Sequence, residues 1–350
     1  MNFCSDNTTG AAPEILAAIT GANAGQAMPY GADAWTERAI EAVREAFETD
    51  CEVLLVATGT AANAIALSAV VPPFGAVLCH PEAHIMVDEC GAPEFYTGGA
   101  KLIGLPDRGG KITAADVEAF MNRPDGGVHS VQPAAVSLTQ AAETGVVYSL
   151  EETAALAEAA HGHGLKVHLD GARFANAITR LGYTPAEASW RTGVDLLCLG
   201  ASKNGAIAAE AVVVFDRALA AELPFRRKRG GHLFSKGRFL GAQMAAYLKD
   251  GLWLRLAAQA NTMATRLAEG LAAVPGVEFS HPVEANELFV YLPAVVREGL
   301  LADGFQFLPW DAAPRASDGA PLSRLVTAFD TRAEDVDALI AAARRHAGAT

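Results

Sequence analysis

Short apolar segments alternate with amphipathic segments along the first two thirds of the chain. The apolar segments have the length and composition of buried strands, and they lie at 53–57, 76–79, 101–104, 134–138, 165–169, 196–199 and 211–215. Segments with helical spacing lie between them, for example at 36–47, 150–163 and 184–192. Strands connected by helices predict an α/β fold with a large, mostly parallel sheet, whose functional residues follow the carboxyl ends of the strands.

The pattern changes in the last third of the chain. A long helical stretch at 235–273 is interrupted near Asp250, and a Pro-Gly pair at 275–276 ends it. Beyond it the pattern predicts strands at 277–279, 288–292 and 325–329 and helices at 294–301 and 333–346. We therefore expect a large domain over 1–250 and a small α+β domain over 251–350. The composition of 311–321 is typical of an exposed loop.

Composition and charge narrow the class of protein. With 350 residues, 51% hydrophobic and 19% charged, the chain is long and apolar enough for a large core and a second, smaller one. No apolar run reaches the roughly 18 residues of a membrane helix, and the net charge of -13 argues against nucleic acid and anionic membranes as partners. The basic run at 226–229 is either a solvated loop or, beside Lys236, a phosphate contact.

The cysteines and the first residues predict the compartment. The chain has five cysteines, an odd number without paired spacing, which is typical of reduced thiols. The first residues have neither the basic segment nor the apolar stretch of a signal peptide. We expect a cytoplasmic protein.

Two chain segments carry the chemistry that the pattern suggests. His168-Leu-Asp170-Gly-Ala-Arg173 closes one predicted strand, and Ser202-Lys203 follows the next. A buried carboxylate can hold a protonated ring nitrogen, a lysine can form a Schiff base, and an arginine can bind a carboxylate with two hydrogen bonds. Together they predict pyridoxal phosphate and an amino-acid substrate. Taken singly, Asp170 also fits a helix N-cap and Lys203 an exposed strand end.

Other candidate residues have ordinary alternatives. Thr-Gly-Thr-Ala-Ala-Asn at 58–63 joins a strand to a helix, where backbone N–H groups can hold a phosphate, although most such segments are capped turns. His84 can stack on an aromatic ring or can be structural. The histidines at 161, 163 and 168 lack a third ligand at metal-site spacing, so we expect no metal.

In chain order, several segments resemble the threonine aldolases nearly end to end. They are Ser5-Asp6-Asn7, 58–63, Glu82-Ala-His84, the segment from His168 to Asn176, Ser202-Lys203, and Ser-Arg-Leu-Val-Thr at 323–327. Within that family the chain is similar to the low-specificity L-threonine and phenylserine aldolases. The resemblance implies the pyridoxal-phosphate-dependent fold of aspartate aminotransferase (fold type I). It also implies a homodimer or homotetramer with active sites at the subunit interface.

The resemblance assigns roles residue by residue. Lys203 would form the Schiff base with the cofactor, Asp170 would pair with the pyridine nitrogen and His84 would stack on the ring, and these are the implied catalytic residues. Tyr30 and Lys236 would reach the cofactor of the neighbouring subunit. The implied cofactor-binding residues are Gly59, Thr60, His84, Gln140, Asp170, Arg173, Ser202, Lys203 and Lys236. The implied substrate-binding residues are Ser5, Tyr30, Arg173 and Arg324.

One segment departs from the family pattern. Many members have Glu-Asn-Thr-His after a strand, whereas this chain has Leu-Thr-Gln-Ala-Ala-Glu-Thr-Gly at 138–145. The family's second active-site histidine, which is associated with the β-hydroxyl group of the substrate, is therefore missing. We expect Gln140 to face the cofactor in its place.

The implied reaction is the reversible retro-aldol cleavage of a β-hydroxy-α-amino acid, such as L-threonine, L-allo-threonine or L-phenylserine, to glycine and an aldehyde. The favoured base for the hydroxyl proton is His84, because imidazole titrates near neutral pH, and Glu89 is the second candidate. Three aromatic residues either line a pocket for aromatic substrates or belong to the core, namely Phe95, Tyr96 and Trp310. The alternatives are another pyridoxal-phosphate-dependent amino-acid lyase, an aminotransferase or a racemase, and an inactive cofactor-binding protein.

Overall fold

The computed structural model describes residues 1–124, 126–310 and 319–348. Numbered along the chain, its helices are α1 Pro13–Ala22, α2 Ala34–Phe47, α3 Gly59–Val70, α4 His84–Val87, α5 Ala92–Thr97, α6 Ala114–Met121, α7 Leu150–Gly162, α8 Phe174–Leu181, α9 Leu223–Arg229, α10 Arg238–Leu248, α11 Leu252–Ala272, α12 Ala294–Ala302 and α13 Ala333–Gly348. Its strands are β1 Glu52–Val56, β2 Gly75–Cys79, β3 Lys101–Gly104, β4 Gln132–Thr139, β5 Lys166–Gly171, β6 Leu196–Gly200, β7 Glu210–Val214, β8 Glu278–Phe279, β9 Glu287–Tyr291, β10 Leu308–Pro309 and β11 Leu322–Val326.

The large sheet confirms the predicted α/β architecture. In the described ranges its seven strands lie in the order β1-β7-β6-β5-β4-β2-β3. The strands from β3 to β6 pair in parallel, while β7 runs antiparallel to both β6 and β1. Every residue of β2, β6 and β7 is buried, because helices cover both faces of a parallel sheet, and this explains the continuous apolar runs.

The helices around this sheet begin at capping signals in the sequence. Asp33 accepts hydrogen bonds from the backbone of Trp35 and Thr36 at the start of α2. At the start of α7, Ser149 and Glu152 form a reciprocal capping box. The buried residues of α2 recur at helical spacing, so this helix presents an apolar stripe to α10 and the large core.

A second sheet lies near the end of the chain. Of the residues described, four strands form it in the antiparallel order β10-β11-β9-β8, and α12 and α13 contribute buried residues to the same core. Phe3 also belongs to this core. The predicted interruption near Asp250 separates α10 from α11, and Asp250 has a positive φ of 52° there. The division into domains at residue 250 remains a prediction.

One predicted element is wrong and one is displaced. The strand predicted at 325–329 begins three residues earlier, as β11, and the helix predicted at 184–192 is absent. The segment 184–192 forms turns, with a short 3-10 helix only at Trp190–Thr192. The Ser189 hydroxyl donates to the carbonyl of Pro185, and the Thr192 hydroxyl donates to the carbonyl of Ser189. Such local hydrogen bonds compete with a regular helix.

Residues 311–318, most of the predicted exposed loop, lie outside the described residues. Of the helices in the described ranges, none combines the length and the apolar character that a membrane crossing requires.

Two glycines let neighbouring strands and turns approach closely where the large sheet ends. A Cβ atom on Gly200 would lie 2.6 Å from the carbonyl oxygen of Ala172, and one on Gly171 would lie 2.7 Å from that of Cys198. Any larger residue would push the ends of β5 and β6 apart. Asp170 lies at the end of β5 and Lys203 follows β6, so the two glycines help to bring the predicted site residues together.

Candidate active site

A cleft of about 500 Å³ lies at the carboxyl ends of β4, β5 and β6. This is the position in which open α/β sheets bind ligands, and the volume is within the range of small-molecule sites. The predicted site residues that line it are Ser5, Gly59, Thr60, His84, Asp170, Arg173, Ser202, Lys203 and Arg324. The structure therefore brings these residues to one cavity, and their individual roles remain predictions.

Asp170 is a buried carboxylate held by two donors. The side-chain amide of Asn63 donates to Oδ2 at 2.7 Å, and the backbone N–H of Ala172 donates to Oδ1 at 3.0 Å. The next helix, α8, begins only at Phe174, so Asp170 is not a helix N-cap and the alternative for this residue is wrong. Its carboxylate is fixed at the cleft wall with a defined orientation.

His84 lies at the start of α4 and forms a pair with Glu89. Its Nδ1 is 2.8 Å from Oε1 of Glu89, and this hydrogen bond raises the pKa of His84. Burial raises the pKa of Glu89. Asn63 bridges the acids, because its amide donates to Glu89 at 2.8 Å as well as to Asp170. His84, Glu89 and Asp170 have potential metal-ligand atoms within 4.8 Å of one another, and the Asn63 amide already accounts for the closeness of the two acids.

Lys203 follows β6 in a short 3-10 helix, Ser202–Asn204. Burial raises the pKa values of Glu210 and Glu287, and the charge of Lys203 acts against this; at Asp6 the charges of Arg173 and Lys203 outweigh burial and lower the pKa. The lysine is thus an amine among carboxylates rather than a solvent-exposed strand end.

The predicted phosphate-binding residues lie at two places in the cleft. Gly59 and Thr60 form the first turn of α3, where backbone N–H groups lack helical partners. The Ser202 hydroxyl forms a hydrogen bond with Glu210, which also accepts from the backbone N–H of Ala201 at 3.2 Å. Burial raises the pKa of Glu210 to about 7.

Arg173 is buried and fully paired with acids. Its Nε and Nη2 donate to the two carboxylate oxygens of Asp6 at 2.8 and 3.0 Å, and its Nη1 lies 3.0 Å from Glu287. Burial acts to lower the pKa of Arg173, but the charges of Asp6 and Glu287 outweigh burial and raise it. Arg173 borders the cleft with its donors occupied, so a substrate carboxylate would have to compete with these acids.

Arg324 makes fewer polar contacts than Arg173. Its Nη2 donates to the carbonyl of Cys4 at 3.1 Å, Nη1 lies 4.0 Å from Glu287, and the guanidinium lies 5.0 Å from the ring centroid of Trp310. Among the residues that the structure describes, its buried Nε has no hydrogen-bond partner. Of the described acids Glu287 is the one that comes near, at 4.0 Å, so the guanidinium that lines the cleft keeps donor capacity for a ligand.

The prediction that Gln140 faces the cofactor is wrong. Its side-chain amide donates to the carbonyl of Tyr148 at 2.8 Å and accepts from the N–H of the same residue at 3.0 Å. These bonds hold the side chain behind the cleft wall. Glu143, which the sequence reasoning did not consider, lines the cleft instead.

Tyr30 and Lys236 are not part of this chain's cleft. They lie close together elsewhere, since the N–H of Tyr30 donates to the carbonyl of Ser235 at 2.9 Å, and both side chains are exposed. Of the three aromatic candidates only Trp310 lines the cleft. Phe95 is exposed, and the Tyr96 hydroxyl donates to the carbonyl of Gly230 at 3.3 Å. The prediction of an aromatic pocket that includes Phe95 and Tyr96 is therefore wrong.

The sequence reasoning missed Asn63, Glu143, Asp6 and Glu287. Asn63 is an amide within a helix segment, 61–68, that is otherwise almost entirely apolar, and Glu287 is an acid that opens a buried strand. Buried polar residues need hydrogen-bond partners, so the sequence alone marks both positions as candidates for a site. Glu143 gave a weaker signal, because an acid in a loop is usually solvated.

Comparison with known proteins identifies the family. The sequence pattern of the family described as beta-eliminating lyase matches residues 2–294. Two low specificity L-threonine aldolases are similar to this chain, each over 87% of its length and 88% of the relative's. The one from Pseudomonas sp. (strain NCIMB 10558) is 45% identical and the one from Pseudomonas aeruginosa is 46% identical. The chain belongs to the beta-eliminating lyases, in their threonine aldolase branch. The predicted resemblance is thereby confirmed.

Solved structures agree with this family. A threonine aldolase of Leishmania major superimposes with a TM-score of 0.92 and 30% identity, over 99% of both chains. A serine palmitoyltransferase of Sphingomonas wittichii, at 15% identity and a TM-score of 0.73, shares the fold. The fold is therefore the predicted fold type I, and the threonine aldolase family to which the chain belongs consists of pyridoxal-phosphate-dependent lyases.

Proposed function

We propose that this protein cleaves β-hydroxy-α-amino acids of the L-threonine, L-allo-threonine and L-phenylserine type to glycine and an aldehyde. The observation that carries the proposal is the presence of Lys203, Asp170 and Arg324 in one cleft. An amine, a fixed carboxylate and an arginine with a free donor suit a cofactor-bound amino acid. The family membership favours aldol cleavage over the other reactions that such a cleft can support.

The residues present fit pyridoxal phosphate. When bound, this cofactor supplies an electron sink for the bonds at the substrate's α-carbon. Lys203 would hold it covalently and Asp170 would keep its ring nitrogen protonated. The first turn of α3 offers N–H groups to the phosphate, and no atom lies within 4 Å of the position of a Cβ on Gly59, so an anion can approach that turn.

One experiment tests cofactor and reaction together. The visible spectrum of the purified protein with pyridoxal phosphate is recorded, and glycine and acetaldehyde are then assayed after addition of L-threonine. A lysine-bound chromophore and release of both products support the proposal. Release of a keto acid or ammonia would favour an aminotransferase or another lyase, and failure to take up the cofactor would overturn the assignment.

Replacing Arg324 with alanine is expected to act mainly on substrate binding. Hydrogen bonds to charged groups contribute about 1.5–3 kcal/mol, so the Michaelis constant for L-threonine should rise about 10- to 100-fold. Steady-state kinetics measure this, with Arg345→Ala on the exposed face of α13 as the matched control. A fall in kcat with an unchanged Michaelis constant would contradict the carboxylate-binding role.

The assembly and compartment are also part of the proposal. We propose a homodimer or homotetramer in which Tyr30 and Lys236 complete the site of the neighbouring subunit. Their position together, outside this chain's own cleft, supports it. A cytoplasmic location is proposed because all five cysteines are free thiols, including the exposed Cys90.

Subunit mixing tests the shared site. Lys203→Ala and Lys236→Ala chains should each have little activity alone, but a hybrid dimer contains one site with both native lysines. Random pairing of equal amounts should therefore restore about a quarter of the wild-type activity, since half of the dimers have one complete site of two. Mixing Lys203→Ala with Lys203→Ala under the same conditions is the control. Activity no higher than the sum of the separate variants would exclude a shared site.

A further inference from the structure

We propose that the Glu143 carboxylate is the base that accepts the proton of the substrate's β-hydroxyl group. This inference rests on the aldol cleavage proposed above. It assigns a residue to the step that the missing histidine leaves open, in place of His84 and Glu89.

The position of Glu143 is the first argument. It belongs to the segment 138–145, which replaces the family's histidine-containing segment after β4, and it lines the cleft. Its Oε1 accepts a hydrogen bond from the backbone N–H of His84 at 2.8 Å, and Thr139 forms a hydrogen bond with the same side chain. A carboxylate has about four acceptor positions, so these bonds orient Glu143 and leave capacity for a substrate hydroxyl.

The electrostatic surroundings make Glu143 a suitable base. Burial, and then the negative charge of Asp170, raise its pKa to about 7, against the lowering effect of the His84 N–H. A base works best when its pKa lies near the working pH, and about 7 meets this condition at neutral pH. The ionisable groups that interact with it are Cys79, His84, Tyr148, Asp170 and Arg173.

His84 is poorly suited to the same task. Its Nδ1 is committed to Glu89 at 2.8 Å, and that contact raises its pKa, which favours an imidazole that already carries a proton. Glu89 is almost fully buried, His84 and Asn63 both bond to its Oε1, and its Oε2, which has no hydrogen-bond partner among the described residues, is enclosed. Glu143 is less buried and lines the cleft, so of the two acids beside His84 it is the one whose acceptor capacity a substrate hydroxyl can reach.

The proposed step balances without any further reagent. The hydroxyl proton moves to the Glu143 carboxylate, and the O–H electron pair forms the C=O bond of the aldehyde. The Cα–Cβ bond breaks, and its electron pair stays with Cα, where bound pyridoxal phosphate would supply the electron sink. A proton then adds to Cα to give glycine, and the carboxylic acid of Glu143 releases its own proton to solvent. In the synthetic direction the same acid returns its proton to the new hydroxyl group.

The Glu143→Gln variant tests the proposal with two reactions. Cleavage of L-threonine should slow about 100-fold or more, which is the usual contribution of a general base. Exchange of the α-proton of glycine in D2O, followed by NMR, should stay within a few-fold of wild type, because glycine has no β-hydroxyl group. In the wild type kcat/KM should rise with pH through about 7, as the carboxylate ionises, and this rise should be lost in the variant.

The controls separate a catalytic role from a structural one. Glu158→Gln on the exposed face of α7 should leave both reactions unchanged. Glu143→Asp keeps a carboxylate and should recover part of the cleavage rate together with the rise in kcat/KM with pH. Equal loss of cleavage and exchange in both Glu143 variants, or a pH rise that persists in Glu143→Gln, would overturn the proposal. Wild-type protein that exchanges glycine without cleaving L-threonine would instead overturn the proposed function.

Discussion

Replacing Lys203 with alanine should abolish cleavage of L-threonine and the covalent link to pyridoxal phosphate. The expected loss in kcat is on the order of 10⁴ or more, as when the residue that forms a covalent intermediate is removed from other enzymes. Lys203 follows β6 and lines the same cleft as the fixed carboxylate of Asp170. Borohydride reduction followed by peptide mass spectrometry measures the link, which should be found on Lys203 in the wild type and on no lysine in the variant.

The control for this experiment is Lys101→Ala, since Lys101 is exposed at the start of β3. That variant should keep both the link and the activity. A reducible link at another lysine of Lys203→Ala, together with retained turnover, would show that Lys203 is not the cofactor-bearing residue. Loss of soluble, folded protein is checked by thermal melting before any kinetic conclusion is drawn.

The fold could be predicted because its signals are local and repeated. Continuous apolar runs separated by helical patterns indicate strands buried on both faces, and β2, β6 and β7 are buried throughout. The prediction of a helix at 184–192 was wrong because hydroxyl groups there donate hydrogen bonds to nearby carbonyls. The spacing of apolar residues does not reveal such bonds.

The site could be predicted where a motif ends or follows a strand, as for Asp170 at the end of β5 and Lys203 after β6. The acids that set the charges around Arg173 and Lys203 could not be predicted, because they come from distant parts of the chain. Asp6 is 167 positions from Arg173, and only the folded chain shows that their charges meet. The prediction for Gln140 was wrong because a shift of one residue at a strand end reverses the face on which a side chain lies. Its neighbours Thr139 and Ala141 line the cleft, whereas Gln140 does not.

Asp170→Asn should keep the cofactor but slow turnover by at least about a hundredfold, the size of effect expected when one preorganised electrostatic contact is lost. A neutral amide cannot stabilise a protonated ring nitrogen as a carboxylate does. It also places an NH₂ group against one of the two donors, from Asn63 and Ala172, that now bond to the carboxylate. Asp33→Asn, at a buried helix cap outside the cleft, is the matched control and should leave turnover unchanged.

Two reactions distinguish the carboxylates of Asp170 and Glu143. The proposed role of Asp170 concerns every bond broken at the α-carbon, so Asp170→Asn should slow glycine α-proton exchange as well as L-threonine cleavage. The proposed role of Glu143 concerns the β-hydroxyl group alone, so Glu143→Gln should slow cleavage and spare exchange. Both rates are measured on protein loaded with cofactor to the same absorbance. Unchanged exchange in Asp170→Asn would remove Asp170 from the ring-nitrogen role, since glycine and L-threonine need the same electron sink.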